Sequence, residues 1–237
     1  NFQKRQYEIL IYDLESKILY KRRPLLKEGP NAVLGVRTAK PFEHSKTFFL
    51  FEAYITRLSI INDKGEVQRR YPVKLPEGQF TRVNDGWSYF YNPSFCVDSV
   101  IYFIHKLNKP QMKTHEWKEV SMFTYLNLKS GEVGPLPLHY PSIFDKNVEN
   151  PAGGYSFSYD YNYTQNRLVC SFTGYDSLMV SDDLQNVRWY NGKSRYMKSI
   201  RPVLEEASAG IQSLAKLKER GKYHNLMYDR YRDVYYR

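Results

Sequence analysis

The chain has 237 residues, of which 42% are hydrophobic and 16% aromatic, and a formal net charge of +10. This composition excludes an intrinsically disordered protein and is typical of a single all-β domain whose sheets pack on one another. Because no stretch approaches about 18 consecutive apolar residues, a membrane-spanning helix is also excluded.

The first third of the chain predicts a hairpin and then a complete sheet. A turn cluster at 27–31 separates the two. Pro72 and Pro76 close the sheet, as expected for an outermost strand, which need not donate every N–H. The predicted strands cover 7–13, 17–22, 47–52, 56–62 and 66–73.

Two further sheets are predicted in the middle of the chain, the first of them interrupted by a polar insertion at 108–118. Each opens with a segment in which aromatic side chains alternate with others, as in a strand with two different faces. The predicted strands cover 86–91, 99–107, 120–128 and 132–138 in the first sheet, and 155–161, 167–173, 177–181 and 187–190 in the second.

The pattern changes after Pro202, which suits a helix start. Apolar residues from Leu204 to Leu214 step by three and four positions, which is helical spacing. The sequence therefore predicts one amphipathic helix near 202–220, either inserted between sheets or covering an opening. Strand character returns at 225–237.

A short phrase that predicts a β-hairpin occurs four times. Each copy is the end of an apolar strand, a polar turn, and the start of a second strand. The copies are Ile11–Ile18, Ile60–Val67, Leu126–Val133 and Val180–Val187, at intervals of about 50 to 65 residues. Such a repeat predicts a β-propeller of four-stranded antiparallel blades, in which each sheet buries its faces only against its neighbours.

Neither a metal site nor a cofactor site is predicted. Cys96 and Cys170 lie in separate repeats and are expected to be two buried thiols in strands, with a disulfide between them as the alternative. The histidines lack metal-ligand spacing, and the acidic turn residues lack the oxygen pattern of a calcium loop. Walker, dinucleotide and nucleophile-elbow motifs are also absent from the sequence, so no catalytic residue is predicted.

Aromatic and basic residues are the candidate ligand-binding positions. The aromatic residues that open two sheets are expected near a propeller channel, where they can stack on sugar rings or hold a peptide. The alternative is that they fill the space between sheets. A basic and aromatic stretch before the predicted helix can bind a phosphate or carboxylate. The candidates are Trp87, Tyr89, Tyr91, Tyr159, Tyr161, Arg195 and Tyr196.

Basic residues are concentrated from Arg188 onward. This charge can attract an acidic glycan, an anionic membrane surface or nucleic acid, and the alternative is a solvated basic edge. A nucleic-acid partner is not expected, because such a surface calls for a broader basic face on a recognised module. Two acids brought together across sheets, such as Glu52 and Asp160, would instead suit a glycosidase.

Three segments together resemble a family of bacterial envelope proteins. They are Glu28–Asn31, Lys193–Tyr196 and Tyr228–Arg237, and their order and spacing carry the resemblance from Ile9 to the end of the chain. The family consists of six-bladed β-propeller lipoproteins, largely described as a domain of unknown function, from Gram-negative gut-type bacteria. Its members are longer at both ends. The resemblance therefore implies that 1–237 is one propeller domain trimmed at both ends, with about four blades visible, and it implies no catalytic residues.

These observations predict a non-catalytic binding or scaffolding propeller with a protein or glycan as its ligand. The resemblance implies a place in the cell envelope, either periplasmic or anchored at the outer membrane, with membrane contact only through a lipid anchor. The alternative is an envelope carbohydrate-active enzyme, a hydrolase or lyase, with its site at the channel mouth. A structural part of a larger assembly is the third interpretation, in which the helix docks on a neighbour.

Overall fold

The protein adopts an all-β fold in the computed structural model, as predicted. One short 3-10 helix, Ser142–Asp145, occurs among the described residues, and none of their helices is long and apolar enough to cross a membrane. The predicted helix near 202–220 lies outside the described residues. The structure describes residues 7–13, 15–42, 47–52, 56–74, 81–82, 94–104, 106–107, 121–145, 157–196, 223 and 225–237.

Five sheets, here named A to E in chain order, contain most of the described strands. Sheet A is β1 (Tyr7–Asp13) and β2 (Ile18–Leu25). Sheet B is β3 (Val36–Pro41), β4 (Phe48–Glu52), β5 (Arg57–Ile61) and β6 (Val67–Pro72). β7 (Thr81–Arg82) pairs separately with β10 (Lys106–Leu107). Sheet C is β8 (Phe95–Val97), β9 (Val100–Ile104), β11 (Phe123–Asn127) and β12 (Val133–Pro135). Sheet D is β13 (Phe157–Asn162), β14 (Arg167–Phe172), β15 (Ser177–Ser181) and β16 (Arg188–Asn191), and sheet E is β17 (Met227–Asp229) and β18 (Val234–Tyr236).

Each of the four-stranded sheets B, C and D is an antiparallel meander whose strands lie side by side in chain order. The four hairpins predicted from the repeated phrase are all formed, as β1–β2, β5–β6, β11–β12 and β15–β16. The predicted strand at 86–91 lies outside the described residues. In the structure, the first strand of sheet C is Phe95–Val97. A two-residue turn at Asp98 and Ser99, with φ of 48° and 66°, folds this strand directly onto β9.

Six of the described hairpin turns share one hydrogen-bonding pattern. In each of the six, the side-chain oxygen of an Asp or Asn accepts the backbone N–H of the residue two positions later, which stabilises the turn locally. These hydrogen bonds hold the pKa of Asp183 well below its usual range. The turn residues are Asp13, Asn62, Asn127, Asn162, Asp183 and Asp229.

The sheets stack face to face in chain order, and each hydrophobic cluster lies between two consecutive sheets. Leu25 of sheet A packs with Leu50 of sheet B, and the cluster between sheets D and E joins Val169 to Leu226. Burial of one such aliphatic side chain contributes about 1.5–3 kcal/mol. The larger clusters are Phe49, Phe51 and Leu58 of sheet B with Ile101, Phe103 and Leu126 of sheet C, and Phe95 and Phe123 of sheet C with Tyr159, Leu168 and Phe172 of sheet D.

The first strands of successive sheets are joined by hydrogen bonds as well as by packing. The Lys40 ammonium in β3 donates to the carbonyl of Ser94, just before β8. The N–H of Cys96 in β8 donates to the hydroxyl of Tyr163, which follows β13, at 3.5 Å. The N–H of Tyr228 in β17 donates to the Asp160 carboxylate of β13 at 2.9 Å. The four first strands β3, β8, β13 and β17 therefore lie on one side of the stack.

Candidate functional site

Exposed aromatic and basic side chains lie together along the last strand of sheet D. We name residues 188–196 the β16 rim. Every residue of β16 is exposed. Trp189, Tyr190 and Tyr196 are 41%, 48% and 97% exposed, respectively. The rim includes Arg195 and Tyr196, which the sequence had nominated as ligand-binding residues, together with Arg188 and Lys193.

Strand alternation places the two rim aromatics of β16 on opposite faces of sheet D. The Trp189 ring lies 5.9 Å from the ring of Phe172 and 6.1 Å from that of Tyr175, between ring centroids. Tyr190 stands opposite Leu178, on the face that packs on sheet E. Both side chains are thus held in place by the sheet while keeping a solvent-exposed part, which is the arrangement of an interface aromatic.

The end of the rim is held by two residues from distant parts of the sequence. The Tyr223 hydroxyl donates to the Asp176 carboxylate at 2.9 Å and accepts the Ser194 N–H at 3.1 Å. The Arg237 guanidinium lies 3.3 Å from the centroid of the Tyr223 ring, and it donates to the carbonyls of Asp176 and Tyr175. We name Tyr223 and Arg237 the clamp. Burial lowers the pKa of Arg237 to about 10, so its guanidinium is charged at neutral pH.

The cations of the rim differ in their pairing. The Asp182 carboxylate accepts from Arg167 at 2.7 Å and also from Arg188, so the charge of Arg188 is partly neutralised. Lys193 and Arg195 have no carboxylate within ion-pair distance among the residues that the structure describes. Among the described residues, the positive charge that lacks a carboxylate partner therefore lies at the end of the rim that follows β16.

The two acids considered as a glycosidase pair lie in non-adjacent sheets. Glu52 is fully buried in sheet B, and although burial opposes its ionisation, hydrogen bonds from Arg57, Ser59 and the Leu34 N–H lower its pKa. Both Glu52 oxygens are occupied by Arg57, at 2.9 and 2.8 Å. Asp160 lies in sheet D. Burial raises the pKa of this carboxyl group, and the hydrogen bond from the Tyr228 N–H and the charge of Lys40 lower it by less.

The nominated aromatics of sheet D lie in the cluster between sheets C and D. Tyr159 and Tyr161 are 1% and 6% exposed. The Tyr161 ring stacks on Phe95 with centroids 4.5 Å apart, and burial raises the pKa of Tyr161 to about 12. These two side chains fill the space between sheets, as the alternative interpretation had it. Trp87, Tyr89 and Tyr91 lie outside the described residues.

The cysteines are both free thiols, so the disulfide alternative does not hold. Cys170 is buried and Cys96 is half-buried, and burial raises the pKa of each thiol. Among the described residues, no group of three or more His, Cys, Asp or Glu side chains is arranged to hold a metal ion.

Comparison with known proteins gives the family. A family model described as Domain of unknown function (DUF4221) matches residues 1–237. The chain belongs to the DUF4221 family. This confirms the part of the resemblance that concerned a domain of unknown function. No curated protein matches the chain.

A solved DUF4221 structure is also similar to this chain. It is the crystal structure of a family member from Bacteroides vulgatus atcc 8482, with 46% sequence identity and a TM-score of 0.84. The match covers 99% of this chain and 65% of that chain. The present chain thus spans a little under two thirds of the length of this DUF4221 relative.

Several residues of the β16 rim, and the two residues that hold its end, were not predicted from the sequence. Trp189 and Tyr190 had been assigned only to a strand and Arg237 only to the terminal segment, and Tyr223 had been assigned to no element. A usable signal was the pair of aromatic residues in the last strand of a sheet, where prolines and charged residues are the ordinary choice. The clamp has no local signal, because Arg237 and Asp176 are 61 residues apart.

Proposed function

We propose that this protein is a non-catalytic binding or scaffolding module of the bacterial cell envelope and that its sheets are blades of a β-propeller. Two features support the propeller. Within the described residues, sheets B, C and D are meanders in chain order whose hydrophobic clusters lie between chain neighbours, as in blades. The first strands of the successive sheets also lie on one side, where a propeller has its channel.

The binding role is supported chiefly by the β16 rim. Trp, Tyr and Arg are the residues that contribute most to protein interfaces, because they combine a large apolar area with directional polar groups. Trp189, Tyr190, Arg195 and Tyr196 bring all three types to one exposed strip. The ligand is a protein or a glycan that presents apolar or flat surfaces next to anionic groups. Arg195 and Tyr196 are the proposed ligand contacts that the sequence had already nominated.

A thermal-shift panel of oligosaccharides, peptidoglycan fragments and extended peptides tests the binding role. A ligand that binds only the folded state raises the melting temperature, by about 2–4 °C for each kcal/mol of linkage free energy in a chain of this size. The double variant Arg195→Ala/Tyr196→Ala should lose the shift. Tyr20→Ala is the matched control, because Tyr20 is 72% exposed on β2 and lies in sheet A. Equal shifts in the wild type and the double variant would contradict this site.

The envelope location is supported by the resemblance to envelope lipoproteins. Its test is fractionation of Bacteroides vulgatus cells with an antibody against the family member. We expect the protein in the membrane and periplasmic fractions, and detergent extraction should release it if a lipid anchor holds it. A protein found only with the cytoplasmic marker enzymes would contradict the location.

A carbohydrate-active enzyme is the second candidate function, and one observation favours it. Asp160 is a half-buried carboxyl group with a raised pKa on a first strand, which are properties of a general acid. Its test is incubation of the glycan panel with wild type and with Asp160→Asn, followed by mass spectrometry of the products. Products formed by the wild type but not by Asp160→Asn would replace the binding role with the enzyme.

A further inference from the structure

The last strands of the sheets differ in what they present at the sheet edge. In an antiparallel ladder, the backbone groups of alternate residues face the partner strand and those of the others face outward. The Val73 N–H donates to the Thr56 carbonyl at 2.9 Å, so Pro72 of β6 faces outward. The Leu136 N–H donates to the Phe123 carbonyl at 2.9 Å, so Pro135 of β12 faces outward as well.

A proline at an outward position protects an edge, because it has no N–H with which to pair another strand. Sheets B and C are both protected in this way, by Pro72 and Pro135. The second strand of sheet A contains Pro24. Among the last strands that the structure describes in sheets A to D, β16 is the one without a proline.

The outward groups of β16 follow from the same alternation. The Gly192 N–H donates to the Asp176 carbonyl at 3.0 Å, which places the backbone groups of Tyr190 and Arg188 towards β15. Trp189 and Asn191 therefore direct their N–H and C=O groups away from the sheet. Within the described part of the chain, these backbone groups of Trp189 and Asn191 have no backbone partner.

The positive charge of the rim indicates which kind of strand can pair with the outer edge of β16. A second copy of this chain, paired through β16, would bring Arg188, Lys193 and Arg195 of each copy close together, and opposed like charges destabilise a strand pair. An acidic segment would instead meet Lys193 and Arg195, which have no carboxylate partner in the part of the chain that the structure describes. Trp189 and Tyr190, on opposite faces, would contact the alternating side chains of an added strand.

We propose that the outer edge of β16 binds an extended acidic peptide segment of a partner protein as an added β-strand. This inference rests on the proposed binding function and specifies its partner and its mode. The backbone groups of Trp189 and Asn191 form the hydrogen bonds to the added strand. The side chains of Trp189 and Tyr190 make apolar contacts with it. Lys193 and Arg195 favour a peptide that carries negative charge. The clamp of Arg237 and Tyr223 holds the end of the strand in position before the peptide arrives.

The test uses a proline at the position where the other edges have one. Asn191→Pro removes an outward N–H that has no backbone partner among the described residues, and the extended residue before it is compatible with proline. Asn191→Ala is the matched control, which loses the side chain and keeps the N–H. The probe is a short fluorescein-labelled peptide of alternating Val and Asp, and its binding is measured by fluorescence anisotropy with the whole chain.

We expect the wild type and Asn191→Ala to bind the acidic peptide within about twofold of each other, and Asn191→Pro to bind at least about tenfold more weakly. The double variant Lys193→Glu/Arg195→Glu should also bind weakly. A peptide of alternating Val and Lys, and the acidic peptide methylated on every backbone amide nitrogen, should not bind. Circular dichroism and the melting temperature establish that each variant is folded.

Three results would overturn the inference. They are no saturable binding by the wild type, equal binding by Asn191→Pro and Asn191→Ala, and undiminished binding of the methylated peptide. A dimer seen by sedimentation in the wild type and lost in Asn191→Pro would assign the edge to a second copy and would also overturn it. If a glycan in the thermal-shift panel binds while the peptide does not, this inference fails and the proposed binding function stands.

Discussion

The interface between sheets C and D and the interface between sheets D and E hold the same sheet by different means. The first is a cluster of stacked and edge-on rings, such as Phe123 against Tyr159 with centroids 4.9 Å apart. The second combines a smaller cluster, which includes Val169 and Leu226, with hydrogen bonds from the backbone N–H groups of Leu226 and Tyr228 to the side chains of Ser158 and Asp160 in β13. Burial of aromatic rings contributes a large free energy that depends little on orientation. Each hydrogen bond contributes a small free energy but fixes one register between the two elements.

The largest expected effect is in the aromatic interface. Phe123→Ala removes a fully buried ring that packs on Phe95, Phe157 and Tyr159, and should lower the free energy of unfolding by about 3–5 kcal/mol. Urea denaturation measures it. Tyr20→Ala, on an exposed side chain, is the control and should change the value by less than about 0.5 kcal/mol. A loss of less than about 1 kcal/mol would show that the cluster is loosely packed.

Ser158→Ala breaks the hydrogen-bonded interface. It leaves the buried Leu226 N–H without its acceptor at 2.8 Å, and should cost about 1–3 kcal/mol in the same urea experiment. Ser171→Ala is the matched control. Ser171 lies opposite Ser158 on the neighbouring strand, and its buried hydroxyl has no partner among the described residues. The control should be neutral or stabilising, and equal losses in the two variants would contradict a specific role for Ser158.

Gly192→Ala tests the clamp between sheet D and the end of the chain. A Cβ at this position would lie 2.6 Å from the Arg237 guanidinium and 3.0 Å from Leu178, so one of them must move. We expect a loss of about 1–2 kcal/mol by thermal denaturation. The variant Gly192→Ala/Arg237→Ala removes one of the two clashes. If the added Arg237→Ala costs as much in this background as in the wild type, the two residues are not coupled.

The direction in which stability changes with pH tests the role of Asp160 in the interface between sheets D and E. Burial raises the pKa of Asp160 above 3.8 in the folded chain. Its contribution to stability is therefore fully present below about pH 3.8 and is lost as the pH rises through the folded pKa. Asp160→Asn removes that loss, so its stability relative to the wild type should increase from low to neutral pH, as measured by urea denaturation at several pH values.

Asp183→Asn is the control of opposite sign. Hydrogen bonds in its turn lower the pKa of Asp183, so the contribution of this carboxylate is present at neutral pH and is lost as the pH falls through the folded pKa. The stability of Asp183→Asn relative to the wild type should therefore decrease from low to neutral pH. The same trend in both variants would refute the assigned cause for Asp160.

The hairpins were predictable because their determinants are local. Asp13, Asn62, Asn127 and Asp183 each begin a turn by binding a backbone N–H two residues away, and that chemistry is visible in a few letters of sequence. The equivalent turns at Asn162 and Asp229 were not recognised as copies of the phrase.

The candidate site was predictable only in part, because most of it depends on contacts between distant residues. Arg195 and Tyr196 were nominated from composition. The exposure of Trp189 and the clamp at Tyr223 depend on which strand ends at the sheet edge and on where the last residues of the chain pack. The first strand of sheet C was missed for a related reason, since three residues, Phe95–Val97, are too few for a periodic pattern to be detected.

The stacking of each sheet on its chain neighbours has a consequence for synthesis on the ribosome. A sheet needs only the next sheet, about 50 residues later, to cover its second face. At about 5–20 residues per second, that partner emerges within roughly 3 to 10 seconds. Each newly made sheet therefore exposes its apolar face only briefly, and these sheets can fold stepwise, one after another.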